Sequence, residues 1–208
     1  MRTFECDFNR FTYDATFGNP NKPMFVDSGQ LKYSAPDKGM FKVEGPRPEH
    51  WICDGKSIFE YKFGTKQLIE HKLPPELQGK AISDGPIPFL FGANAEKLKQ
   101  RYYLRITTDP ARAKEEVWLE AFPRFQQDAA NFERADLILK IENMQPFAVR
   151  VYEPGGRQHK VYEFKNILVN QNNLFSFLKG DPFTAKLPGL DWKRIVEEAP
   201  APAEARRR

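Results

Sequence analysis

Hydrophobic and polar residues alternate with a period of two over most of this chain, the spacing of a half-buried β-strand rather than of a helix. Phe4, Cys6 and Phe8 share one face of a first strand, and the alternation then slips to Phe11, Tyr13 and Ala15, as a bulge or bend within one long strand would cause. After a polar loop holding Gly18, Asn19, Pro20, Asn21 and Pro23, Leu31 and Tyr33 mark a second strand. Pro36-Asp37-Lys38-Gly39 turns the chain, and Phe41 and Val43 mark a third. Trp51-Ile52-Cys53 and Ile58 to Phe63 flank Asp54-Gly55, a hairpin dipeptide whose residues tolerate positive φ. Gly64-Thr65-Lys66 then turns into Ile69, His71 and Leu73, so the chain up to this point reads as an uninterrupted meander.

From Leu73 to Arg101 prolines and glycines break the pattern around one dense apolar patch, Ile87-Pro88-Phe89-Leu90-Phe91. A short helical run is expected over Ala95 to Arg101. Strands resume at Tyr102-Leu104-Ile106, Val117-Leu119-Ala121, Ala135-Leu137-Leu139-Ile141 and Phe147-Val149-Val151, with a second short helix between Arg124 and Asn131. Gly155-Gly156 closes the next hairpin, leading into Tyr162-Phe164 and then Ile167-Val169. Leu174 to Ile195 alternates less cleanly, interrupted by Pro182, Pro188 and Gly189. About a dozen strands in succession predict a mainly β fold, a large curved antiparallel sheet with a concave face that something must cover. Phe89, Leu90 and Phe91 are the natural lid. Residues 1–198 are expected to form one domain, and the Ala/Pro/Glu/Arg tail over 199–208, with nothing to bury, to be disordered.

Composition agrees with sheet. Among 208 residues there are 18 Phe, 7 Tyr and 3 Trp, residue types that suit a pleated, half-buried surface. The chain is 40% hydrophobic and 29% charged, neither disordered nor membrane-embedded in character, and no apolar run reaches the ~20 residues of a membrane helix. The net charge of +4 is diluted, with Arg206, Arg207 and Arg208 in the tail, and Lys and Arg alternate with Glu and Asp elsewhere. A base-stacking platform needs a concentrated basic stripe among its aromatics, so no nucleic-acid partner is expected. No secretory apolar segment precedes Phe4, and a chain that opens mid-strand fits a trimmed N-terminus.

The chemistry-bearing residues form no catalytic pattern. His50, His71 and His159 have no metal-ligand spacing, and two cysteines cannot supply a thiolate zinc site. Cys6 and Cys53, placed on the first and fourth strands of the meander, are too far apart for the ~4.4–6.8 Å Cα separation of a disulfide. Cys53-Asp54-Gly55-Lys56 is better explained as hairpin chemistry than as an activated thiolate. No metal, cofactor or catalytic residue is assigned, and the chain is not expected to be an enzyme.

In order along the chain, Gly29-Gln30-Leu31-Lys32-Tyr33, Pro36, Phe41-Lys42-Val43, Trp51-Ile52-Cys53, Asp54-Gly55-Lys56-Ser57-Ile58-Phe59-Glu60-Tyr61 and Gln67-Leu68 resemble the front half of the outer-membrane lipoprotein carrier proteins, the LolA-like group. Tyr162-Glu163-Phe164, Asn166, Asn170, Phe183 and Leu187-Pro188-Gly189 resemble its back half. A closer resemblance is to an uncharacterised bacterial branch of that group, in which segments like Phe89-Leu90-Phe91-Gly92, Arg101-Tyr102 and Pro123 through Asp128 to Phe132 recur in this order. The resemblance implies an incomplete β-barrel with short helices over an open hydrophobic concave face. It also implies a periplasmic protein that carries lipids or lipoprotein acyl chains without a cofactor. The residues assigned to such a cavity or its lid are Phe59, Tyr61, Phe89, Leu90, Phe91, Leu104, Leu119, Leu137 and Leu139. Two departures stand against the pattern: no leading helix precedes the first strand, and Lys42 stands at about the place of the family's gating arginine. Lysine lacks the planar fork with which arginine bridges lid carbonyls. The competing expectation is an envelope interaction protein that keeps the half-barrel as a scaffold, its concavity filled by its own side chains.

Overall fold

The computed structural model describes residues 2–16, 18–19, 21–79, 95–171 and 180–198. The first alternating segments become β1 (Thr3–Asp14), β2 (Phe25–Ser34), β3 (Lys38–Glu44), β4 (Glu49–Asp54), β5 (Ser57–Lys62) and β6 (Gln67–Lys72), each antiparallel to the next. Helix α1 (Ala95–Arg101) leads into a second meander of β7 (Tyr102–Ile106), β8 (Glu116–Pro123), β9 (Arg134–Lys140), β10 (Pro146–Tyr152) and β11 (Gln158–Val169). A single turn of helix, α2 (Gln126–Ala129), links β8 to β9. The meanders join where β11 lies antiparallel to β1, and β12 (Lys193–Glu197) adds to β6 in parallel. One twelve-stranded sheet results, in the order β12-β6-β5-β4-β3-β2-β1-β11-β10-β9-β8-β7, and it is open because its two end strands do not pair.

The turns explain the register. At the β4–β5 hairpin Gly55 has φ +92°, and the Asp54 carboxylate accepts the N–H groups of Lys56 and Ser57 at 2.8 Å each. Gly155 and Gly156, both at positive φ, close the β10–β11 hairpin. Curvature is visible in the side chains. The rings of Phe41 on β3 and Tyr162 on β11 lie 6.2 Å apart although β2 and β1 run between their strands. A flat sheet would separate them by about 14 Å, so the sheet curls around the face that bears them.

Three expectations are corrected. The alternation in β1 does not slip: Phe4, Cys6 and Phe8 are followed inward by Arg10, Thr12 and Asp14, all buried, while Phe11 and Tyr13 stay on the other face. The inner positions change from apolar to polar without changing parity, because Arg10 finds carboxylates there. Ile167-Val169 is not a separate strand but the end of β11, offset by a bulge at Asn166 (φ +51°) that shifts the β1–β11 register between Glu5 and Asp7. Lys193–Glu197, within a region that alternates poorly, is a strand nonetheless. The expected helix over Ala95 to Arg101 forms, and the one between Arg124 and Asn131 is reduced to α2. Phe89, Leu90 and Phe91 and the 199–208 tail lie outside the described residues.

Candidate functional site

The inner face of the curl is apolar across both meanders. Phe4, Cys6 and Phe8 of β1, Leu31 and Tyr33 of β2, Val43, Leu137, Val149 and Phe164 form its buried core. Phe8 stacks on Phe41 at 5.3 Å across β2, which is possible because Gly29 stands between them: a Cβ there would lie 2.3 Å from the Phe8 ring. Around this core a second set of apolar side chains is only partly buried: Phe41, Leu119, Leu139, Val151, Tyr162, Ile167 and Val169. At the β7 end, Leu98 of α1 and the stacked pair Tyr102–Phe132 close part of the face, while Ile106 is 70% exposed.

One end of the inner face carries charge. Arg10, 1% exposed, donates from Nη2 to Asp27 at 2.9 Å and from Nη1 to Glu49 at 2.6 Å, reaching β4 across β2 and β3. Arg47 also bonds Asp27, at 3.1 Å, with its guanidinium 3.5 Å from the centre of the Phe25 ring. Burial works against the Arg10 charge, but its hydrogen bonds to Asp27 and Glu49 outweigh that and raise its pKa. The neighbouring Tyr162 hydroxyl is pushed up to about 12, chiefly by burial, and stays protonated. The apolar surface along β1 therefore ends at Arg10.

The structure divides the residues singled out from the sequence. Leu104, Leu119, Leu137 and Leu139 come together on the inner face, as the β7–β8–β9 register requires: Leu104 opposes Ala121, and Leu119 opposes Leu137. Phe59 and Tyr61 lie on the opposite face. Phe59 pairs with Ile52, Ile52 with Met40 and Met40 with Lys32, which bonds the outward Glu5. There Phe59 and Tyr61 are buried with Met40, Ile52 and Leu68 beneath Phe183, Ala185 and Trp192. The Tyr61 hydroxyl donates to the Lys186 carbonyl at 3.0 Å and accepts its N–H at 3.1 Å. Lys42 is on that outer face too, beside His50 and bonded to Glu44 at 2.7 Å. The sequence reading missed Arg10, Asp27 and Glu49. The available signal was parity, since Arg10 continues the count of Phe4, Cys6 and Phe8.

The two cysteines and His71 are held inactive or paired. Both cysteines are free thiols. Burial, helped by Asp7 and Glu5, pushes Cys6 up to about 12, and burial likewise raises Cys53, whose Sγ donates to the Asp37 carbonyl at 3.3 Å. Neither is an activated thiolate. His71 bridges Glu197 at 2.9 Å and Glu60 at 3.6 Å. Among the described residues no group of three His, Cys, Asp or Glu is placed to hold a metal ion, and no helix is long and apolar enough to cross a membrane.

Among solved structures the chain is similar to an uncharacterized conserved protein from Thermus thermophilus, at 10% identity over 94% of this chain and 91% of that one, with a TM-score of 0.48. It is also similar to a LolA superfamily protein from Nitrosomonas europaea, at 10% identity over 84% and 89% of the two chains, with a TM-score of 0.38. The outer-membrane lipoprotein carrier protein of Bordetella pertussis (strain Tohama I) is 27% identical over 143 residues, 69% of this chain. That match spans 61% of the curated relative's own length. The family model for the outer membrane lipoprotein carrier protein LolA matches residues 1–177, and the chain belongs to that family.

Proposed function

We propose that this protein is a non-enzymatic, periplasmic carrier or binder of lipids or lipoprotein acyl chains, held against the inner face of the open sheet. One observation carries the reading: the inner face is lined by contiguous apolar side chains that the described fold leaves partly uncovered, Phe41, Leu119, Leu139, Ile167 and Val169 among them. Leu104, Leu119, Leu137 and Leu139 contribute the β7–β9 wall of the site. Removing acyl surface from water against such a wall contributes about 25 cal/mol per Å². The Arg10 cluster bounds the apolar stretch, so the acyl chain lies toward the Phe4 end and a polar head toward Arg10. Membership of the lipoprotein carrier family supports the same reading.

The test is native mass spectrometry of the purified protein for co-purified lipid, followed by uptake of a fluorescent fatty acid. Replacement of the half-buried Leu119 and Leu139 by Gln is expected to weaken uptake by about tenfold or more, with circular dichroism still showing a folded sheet. Wild-type protein that neither carries nor takes up lipid would sink the carrier reading and leave a scaffold for an envelope partner.

A further inference from the structure

Between Ala185, which covers the outer apolar cluster, and β12, the chain forms a loop whose leucines no packing in the described fold uses. Leu190 is 108% exposed, as open as in an extended peptide, and Leu187 is 46% exposed, with Pro188 and Gly189 between them. The loop is nonetheless held at both ends. Before it, the Tyr61 hydroxyl accepts the Lys186 N–H at 3.1 Å and donates to the Lys186 carbonyl at 3.0 Å. After it, Trp192 packs against Phe63 and Tyr61, with ring centres 5.4 and 6.0 Å away, and its backbone N–H donates to the Gly189 carbonyl at 3.2 Å. The Lys193 N–H then donates to the Lys66 carbonyl at 2.9 Å. A braced loop, and not a loose one, displays the two leucines.

The charge around this loop is unbalanced. Lys66, Lys186 and Lys193 border it, and Asp191, bonded by Lys66 at 2.6 Å, is the one carboxylate within it. Lys186 and Lys193 make no ion pair with any described residue. The charges beyond them cancel in pairs: Lys62 with Glu60, Arg194 with Glu70, Arg47 with Asp27 and Arg10 with Glu49. Glu197 and Glu198, at the far end of β12, take His71 and Lys72. Exposed leucines flanked by lysines, over a half-buried tryptophan, match the composition of a membrane–water interface. There apolar side chains enter the acyl boundary, tryptophan sits at headgroup level, and ammonium groups meet anionic lipid. At full exposure Leu190 is a knob and not the wall of a groove. A deformable lipid surface accepts it, whereas a protein partner would need a matching pocket.

We propose that the loop over 186–193 docks this protein on an anionic bilayer surface. Leu187 and Leu190 enter the headgroup boundary, and Lys66, Lys186 and Lys193 meet lipid phosphates. Docking needs no lipid on the inner face and is independent of acyl binding there.

The test is flotation of the full chain with phosphatidylcholine vesicles containing about 30% phosphatidylglycerol. The protein is expected to float with these vesicles and to bind pure phosphatidylcholine about tenfold more weakly. Raising NaCl from about 50 to about 300 mM should weaken binding severalfold. Leu190→Ser should melt like the wild type and bind the anionic vesicles about tenfold more weakly. The folded inner-face variant with Leu119 and Leu139 replaced by Gln should still dock. Absence of flotation at the lower salt, equal binding to neutral vesicles, or undiminished binding by Leu190→Ser would overturn the proposal. So would loss of docking in the folded inner-face variant, because the vesicles would then be held through the acyl site. Fatty-acid uptake does not need this loop, so docking and the carrier reading fail separately.

Discussion

Two of the apolar clusters on this sheet are built partly from the same strands, yet they end in different states. On β3, Met40 points outward and Phe41 and Val43 inward; on β4, Ile52 points outward and Trp51 inward. The outer cluster is roofed by its own chain, where Phe183, Ala185 and Trp192 pack on Met40, Ile52, Phe59, Tyr61 and Leu68. Among the described residues the inner cluster is sheltered by the curl of the sheet, with a margin of partly buried residues around a buried centre. The difference teaches that burial of an aromatic does not reveal which role it plays. A self-roofed cluster stabilises the fold, whereas a cluster that the described residues leave partly uncovered keeps apolar surface at its margin.

The largest effect is expected at the buried charges of the inner face. Arg10→Met leaves Glu49 without its 2.6 Å partner and Asp27 with Arg47 alone. Breaking a buried pair from one side costs about 3–5 kcal/mol, to be read from urea denaturation. A loss below about 1 kcal/mol would show that the curl does not need this brace. A smaller effect is expected on the outer face, where Tyr61→Phe keeps the ring and removes the hydroxyl between the Lys186 N–H and carbonyl, at about 1 kcal/mol. Fatty-acid uptake should be unchanged in this variant. Altered uptake would mean that the outer roof and the inner face are coupled, and the contrast between them would fail.

The last expected effect is a dependence on pH. His50, stacked on Tyr61 at 4.4 Å, is lowered from 6.5 to about 4 by burial, with Lys42 adding to the shift. The unfolded chain then takes up the proton more readily than the folded one. The contribution of His50 is fully present above its unfolded value and is lost as pH falls through the folded one. Wild-type stability should therefore fall relative to His50→Gln as the solution is acidified from pH 6.5 toward 4. Parallel pH profiles for the two proteins would place this imidazole in water.

Period-two alternation made most strands legible, and local turn and helix signals the hairpins and α1, because each depends on neighbours in sequence. What escaped depends on distant partners. The buried Arg10 looked like a break in the apolar pattern because its carboxylates come from β2 and β4. β12 escaped because its ladder is made with β6, well over a hundred residues earlier. The assignment of Leu104, Leu119, Leu137 and Leu139 to one face followed from parity within a single meander. Grouping Phe59 and Tyr61 with them required parity to be carried through six intervening strands, and each turn between strands resets the count.

The β1–β11 seam has a kinetic consequence. Within each meander every ladder joins neighbouring strands, so the two halves can zip from local hairpins. The seam instead pairs residues at least 144 positions apart, the separation of Asp14 and Gln158. Closing so long a loop is the slow event for a β topology, and it must wait until the last strand of the second half has left the ribosome. Until then Phe4, Cys6 and Phe8 have no Phe164 to pack against, and a nascent chain displays the same apolar face that the finished sheet curls around. A chaperone that shields this face during synthesis would meet the apolar surface proposed here for acyl binding before any ligand can occupy it.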